Sequence, residues 1–321
     1  MVELKIIFLG TSAATPTKSR GLSSIAIIRD GELLIFDAGE GTQHAIAVAK
    51  LGLNRETKIF ITHMHGDHCV GLLGIIQSMS MAGRVKPLDV YGPEPLGGFL
   101  RESAKYLRFG VNFPLRVHQV HEGVIHETRD YKILVAQGEH STPNFSYVLE
   151  EKKRRGVFNP AKALKYGVPT GELWSRLQSG ESVKVKNRSV KPSQVLGAER
   201  SGRKIGISGD TRPTPKLEKF FSKCTLLIFD STYSERHQYL AKERLHSTAK
   251  EAAKIAKSSR SNLLILTHFS SRYSEVNSLE AEARQIHPNT IAAYDMMRLI
   301  VPYPDQGEAK FLDISGEQAN R

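Results

Sequence analysis

Short apolar runs of strand length recur along the chain, and helix-period stretches separate some of them. The runs are Lys5–Leu9, Ser24–Ile28, Leu33–Phe36, Lys58–Thr62, Lys132–Ala136, Phe145–Leu149, Lys204–Ile207, Leu226–Phe229, Leu263–Thr267 and Ile291–Ala293. Residues spaced at the helical period mark Gln43–Leu51, Val70–Met81, Pro95–Leu107, Gln238–Lys257 and Ser278–Gln285. This mixture predicts the α/β (α+β) class, with sheets covered by helices on their outer faces. One stretch breaks the pattern. From Lys152 to about Lys191 the chain carries glycines, prolines and clustered cations but no convincing core strand. It reads as a helix-containing insertion that projects from a single domain of residues 1–304. From Pro302 the sequence is polar and aperiodic, so 305–321 is expected to be a flexible tail.

Charge sharpens this picture. With 45 Lys and Arg against 33 Asp and Glu, the 321 residues carry a formal charge of +12. Most of that surplus falls between Glu150 and Lys204, where 14 basic residues face 5 acidic ones. Such a concentration suits an anionic partner such as nucleic acid, although a solvated basic face would have the same composition. No apolar run approaches the length of a membrane span. The start, Met1-Val2-Glu3-Leu4-Lys5, lacks the features of a secretory leader. Cys69 and Cys224 cannot supply a disulfide framework. A cytoplasmic protein with no membrane partner is expected.

The chemistry concentrates in Thr62-His63-Met64-His65-Gly66-Asp67-His68. Strand alternation would place His63 and His65 on one side, and a turn at Gly66 would bring back Asp67 and His68. Three imidazoles and a carboxylate within six residues suit a metal that takes nitrogen and oxygen ligands. Three further candidates follow other apolar runs: His140 in Gly138-Glu139-His140-Ser141, Asp210 in Ser208-Gly209-Asp210-Thr211-Arg212-Pro213, and His268 in Thr267-His268-Phe269. Asp37, in Phe36-Asp37-Ala38-Gly39-Glu40-Gly41, is a further acidic residue at a strand end.

In that order these segments resemble the metallo-β-lactamase superfamily. Phe8-Leu9-Gly10-Thr11-Ser12-Ala13-Ala14-Thr15-Pro16, Gly39-Glu40-Gly41-Thr42-Gln43, Gly209-Asp210-Thr211-Arg212-Pro213 and His246-Ser247-Thr248 narrow the likeness to the tRNase Z family, over about residues 4–304. The resemblance implies an αββα four-layer sandwich with a protruding exosite arm at about 152–191. It implies two zinc ions: His63, His65 and His140 on one, Asp67, His68 and His268 on the other, and Asp210 bridging. Asp37 would support the ligand loop from behind. Asp67 would also orient the attacking water, and His246 would help the leaving 3′-oxygen depart. The implied reaction is endonucleolytic removal of the 3′ trailer from precursor tRNA, leaving a tRNA 3′-hydroxyl and a 5′-phosphate on the trailer. The arm, including Lys152, Lys153, Arg154, Arg155, Lys162 and Lys165, would grip the tRNA, and the protein would be a homodimer. The same fold and metals also serve phosphodiesterases and arylsulfatase-like hydrolases of small substrates, which stand as the alternative.

Overall fold

In a computed structural model that describes residues 2–186 and 188–312, two large sheets face each other. The first runs, in spatial order, Lys310–Leu312, Arg298–Ile300, Leu4–Gly10, Ser24–Arg29, Glu32–Phe36, Thr57–Phe60, Leu88–Gly92 and Leu115–Gln119. The second runs Thr290–Ala292, Leu263–Thr267, Leu226–Asp230, Lys204–Ile207, Phe145–Glu151, Tyr131–Gln137 and Gly123–Glu127.

Side-chain alternation explains the layering. On the first strand Leu4, Ile6 and Phe8 point between the sheets, where they meet Phe36, Phe60, Tyr147 and Ile205. Ile7 and Leu9 point outward, against a core shared with the helices Thr42–Val48, Gly71–Met81 and Pro95–Leu107. Pro215–Phe220, Ala249–Ser258 and Asn277–Arg284 cover the outer face of the second sheet through Leu217, Ala252 and Leu279. The result is the αββα four-layer sandwich. Among the described residues no helix is long and apolar enough to cross a membrane.

Several elements differ from those read in the sequence. The expected helix Gln238–Lys257 is two helices, Gln238–Glu243 and Ala249–Ser258. Between them Leu245 takes a left-handed φ of 57°, and Thr248 caps the second helix in a capping box with Glu251. Leu115–Gln119 and Gly123–Glu127 escape the hydrophobic pattern because they are largely exposed edge strands. The stretch 152–191 contains a hairpin, Val183–Val185 with Arg188–Val190, and helices Pro160–Lys165 and Glu172–Gln178. With Val195 of a following short helix these close a core of their own, containing Ala163, Val168, Leu177, Val183 and Val190. Its apolar residues are too dispersed to read as a strand. Part of the supposed tail is ordered in the first sheet, where Lys310–Leu312 pairs antiparallel with Arg298–Ile300. Residues 313–321 lie outside the described residues.

Candidate metal centre

Six strands deliver their carboxyl ends to one place, and each carries an Asp or His just at or beyond its last residue. Asp37 follows Phe36, His63 follows Phe60, His140 follows Gln137, Asp210 follows Ile207, Asp230 ends its own strand, and His268 follows Thr267. Open sheets gather ligands at this edge because the backbone stops pairing there and loops can converge. The strand Thr57–Phe60 stops short of His63, so the shared direction of His63 and His65 comes from the loop rather than from alternation. Gly66 makes no sharp turn; it begins the helix Gly66–Cys69 that carries Asp67 and His68. A close glycine contact sets that helix against the Asp37 loop. A Cβ on Gly71 would lie 2.0 Å from the Gly39 carbonyl oxygen. Asp37 and His268 themselves sit at left-handed φ values of 60° and 61°, costly conformations for such residues.

The predicted ligands meet as two overlapping groups. His63, His65, His140 and Asp210 form one, and Asp67, His68, Asp210 and His268 the other, each with its donor atoms within 4.8 Å of one another. His65 Nδ1 lies 3.0 Å from His63 Nε2 and 3.2 Å from His140 Nε2. His68 Nε2 lies 3.2 Å from His268 Nε2. Asp210 Oδ2 stands between the groups, 3.2 Å from His68 Nε2, 3.3 Å from His268 Nε2 and 3.7 Å from His63 Nε2.

In His63, His68, His140 and His268 the opposite ring nitrogen is engaged with an acceptor, and this fixes those four tautomers. His68 Nδ1 donates to Asp37 Oδ2 at 2.7 Å. Thr62 Oγ1 donates to the same carboxylate at 2.9 Å and accepts from His63 Nδ1 at 3.0 Å. His140 Nδ1 donates to the Leu245 carbonyl at 3.0 Å. Thr232 Oγ1 donates to Asp230 Oδ1 at 2.6 Å and accepts from His268 Nδ1 at 2.9 Å. In their neutral forms, four imidazoles therefore turn lone pairs toward one another. Such an arrangement is repulsive until a cation enters it, and this donor set fits nitrogen- and oxygen-ligated metal. Asp37 thus holds His68 and Thr62 from the side away from the donor groups.

The ionisable groups show the same demand for positive charge. Burial opposes a charged imidazole at His268, yet Asp210, then Asp230 and Asp67, push it up to about 10. His68 is likewise raised, burial being outweighed by Asp210 and Asp37. Burial would raise Asp67, but His268 and His68 hold it well below the usual carboxylate range. His63, His65 and His140 are lowered, chiefly by burial.

His246 lies beside this cluster, its Nδ1 3.0 Å from Asp230 Oδ2, and it lines the cleft of about 860 Å³ over the ligands. Arg212 reaches the His246 carbonyl and pairs with Glu251, which ties the interrupted helix to the Asp210 loop. Asp230 is a residue the sequence reading misses. It orients His246 directly and His268 through Thr232, and its only signal was an acid closing the buried run Leu226–Phe229. Arg272 lines the cleft, whereas Tyr273 is buried and bonds Ser234 and His237. Of the six cations assigned to RNA, Lys162 and Lys165 are exposed on the arm. Lys152 pairs with Glu127, Lys153 with Glu199, and Arg155 bonds the Gln178 carbonyl. Arg154 is partly buried and bonds Asp305.

Comparison with known proteins places this geometry. The sequence family described as Anti-Pycsar protein Apyc1 matches residues 4–154. A ribonuclease Z from Nitrosopumilus maritimus is 46% identical over 296 residues, 92% of this chain and 99% of the relative. The chain belongs to the ribonuclease Z family. A ribonuclease Z from Methanosarcina mazei is 41% identical over 305 residues, covering 94% of this chain and all of that one. Among solved structures, human tRNase Z, short form (ELAC1), superposes with a TM-score of 0.68 at 27% identity, covering 93% of this chain and 99% of its own. Membership of the ribonuclease Z family makes the chain a metal-dependent nuclease of tRNA 3′ processing, as its motifs led us to expect.

Proposed function

We propose that the chain cuts precursor tRNA after the last nucleotide of the mature 3′ end, at a centre of two zinc ions that share Asp210. The observation that carries this reading is the pair of overlapping donor groups with Asp210 common to both. His63, His65 and His140 would hold one ion, and Asp67, His68 and His268 the other. When bound, the pair supplies an activated water near neutral pH and neutralises charge on the phosphoryl oxygens.

The chain's own residues do the rest. Asp67 Oδ2 accepts from the Ala14 N–H at 2.7 Å, which holds the carboxylate at the cleft floor, where it can orient the attacking water and take its proton. Asp230 fixes His246 through Nδ1, leaving Nε2 to give a proton to the departing 3′-oxygen. The products are a tRNA with a 3′-hydroxyl and a trailer with a 5′-phosphate. No ribose 2′-hydroxyl acts as nucleophile. The exposed cations of the arm, with Lys162 and Lys165 foremost, would neutralise phosphates of the tRNA body at a distance from the cleft. The family resemblance supports a homodimer working in the cytoplasm.

Metal analysis together with cleavage of one precursor tRNA, its product ends mapped, tests this. Two zinc ions per chain and a 3′-hydroxyl on the tRNA are expected. A 2′,3′-cyclic phosphate, or undiminished cleavage by the metal-free chain, would refute the mechanism.

A further inference from the structure

The arm leaves the second sheet and returns to it through a narrow stalk. Its outgoing and incoming segments run antiparallel. Glu151 N–H donates to the Arg203 carbonyl at 2.9 Å, and Arg154 and Arg200 exchange backbone hydrogen bonds of 2.7 and 2.8 Å. Farther out, Gly197 N–H meets the Val157 carbonyl at 2.9 Å and Asn159 N–H meets the Val195 carbonyl at 2.8 Å. The segments are so close that a Cβ on Gly156 would lie 2.0 Å from the Gly197 oxygen. Beyond the stalk the arm packs on its own small core, and an open cleft of about 960 Å³ lies between its base and the body. A two-stranded stalk can swing as a hinge unless something braces it from the side.

The chain supplies that brace from its C-terminal part. Val301 continues the strand Arg298–Ile300 and donates to the Leu4 carbonyl at 2.9 Å, so this segment is fixed to the first sheet. Two residues later the Tyr303 ring takes both stalk arginines. Arg154 Cζ lies 3.6 Å from its centroid and Arg203 Cζ 4.1 Å. Asp305 then bridges Arg154 and Arg200, the latter at 3.2 Å. Arg203 also reaches the Val301 carbonyl at 3.0 Å. Both strands of the stalk are thereby tied to the sheet that carries Asp37 and His63.

We propose that Tyr303 and Asp305 are positioning residues for tRNA cleavage, acting as a lock that sets the angle of the arm to the metal centre. The proposal rests on the reading that the arm grips the tRNA. A grip far from the scissile bond aids the reaction only if the arm points where the bound tRNA brings its 3′ end to the cleft. Loss of the lock reduces the fraction of molecules in that orientation, and apparent affinity falls by the same fraction. It also reassigns Arg154, whose guanidinium serves the lock rather than a phosphate.

The test uses the full chain with spin labels at Ser179→Cys on the arm and Glu102→Cys on the body, both exposed positions; Cys69 and Cys224 are buried. Combining Tyr303→Ala with Asp305→Asn should broaden the label-to-label distance distribution. It should raise KM for precursor tRNA by about tenfold, the size expected when two contacts of this kind are lost, with kcat little changed. Hydrolysis of bis(p-nitrophenyl) phosphate should stay at the parent rate. Tyr303→Phe keeps the aromatic face and should restore both distance and KM. An unchanged distribution overturns the lock. A broadened distribution with unchanged KM overturns the positioning role, and Lys162→Glu with Lys165→Glu separates the causes. If that charge reversal raises KM, positioning alone is wrong; if it does not, the grip reading fails as well.

Discussion

At the arm root Glu151 accepts from both Arg29 and Arg203, at 2.8 and 2.7 Å, and all three residues are buried. At the strand ends the equally buried His63, His68, Asp210 and His268 face one another with too little positive charge among them. The first set closes on itself. The arginines answer the carboxylate, and the spare N–H groups of Arg203 find the Val301 and Val2 carbonyls. In the second set, the outward nitrogens of His68, His63 and His268 meet Asp37, Thr62 and Thr232, and that of the adjoining His140 meets the Leu245 carbonyl, while the inward nitrogens crowd one another and Asp210 as a cation's ligands would. Burial and charge alone do not distinguish a structural cluster from a functional one. Completeness of partnering does.

Removing Asp210 should break the second cluster most severely. Asp210→Ala takes one donor from each group, so most bound metal and nearly all cleavage should be lost, with precursor binding through the arm largely kept. Elemental analysis beside a cleavage assay checks this, and near-parental zinc in the variant would rule out the bridging role. His246→Ala sharpens the contrast from within the cleft. Both metals should remain while cleavage slows by about 10²–10⁴-fold. On an ester whose leaving group needs no proton, the deficit should shrink.

The first cluster is tested by Glu151→Gln, which leaves two buried guanidinium groups short of a counter-charge. Denaturant unfolding should show a loss of about 3–5 kcal/mol, with zinc content unchanged. Its pH dependence has a definite sign. Burial would raise the Glu151 carboxyl, but Arg203 and Arg29 hold it below its usual value. The stabilisation is therefore complete above the unfolded pKa and is lost as pH falls through the folded one. The smallest effect should come from Thr232→Val, which deprives His268 Nδ1 of its acceptor but leaves every ligand in place. Zinc affinity should fall by about 10–100-fold, measured by competition with a chelator.

The contrast between the clusters also explains what could be read without coordinates. The layered strands and the candidate donors His63, His65, Asp67, His68, His140, Asp210 and His268 were legible because each lies in or beside a segment that follows an apolar run, and ligand chemistry is confined to few residue types. Asp230 was not, since one acid after Leu226–Phe229 looks like any strand terminus until His246 is seen beside it. His246 in turn sits in a break within an apparently continuous helical pattern, made by the Leu245 backbone and the Thr248 cap. The lock on the arm was hidden for a different reason. Arg154, Arg203, Tyr303 and Asp305 are far apart in sequence, and pairing of such residues depends on topology rather than on local pattern.

Titration of the metal-stripped chain with zinc, followed by calorimetry and by precursor cleavage in the same samples, tests the central claim most directly. Asp210 joins two donor groups, so two ions should bind per chain and cleavage should return with the second. Because His268 is held up at about 10 and His68 is also raised, binding must displace protons and should weaken as pH falls. Full activity with a single ion per chain, or uptake unaffected by pH, would contradict it.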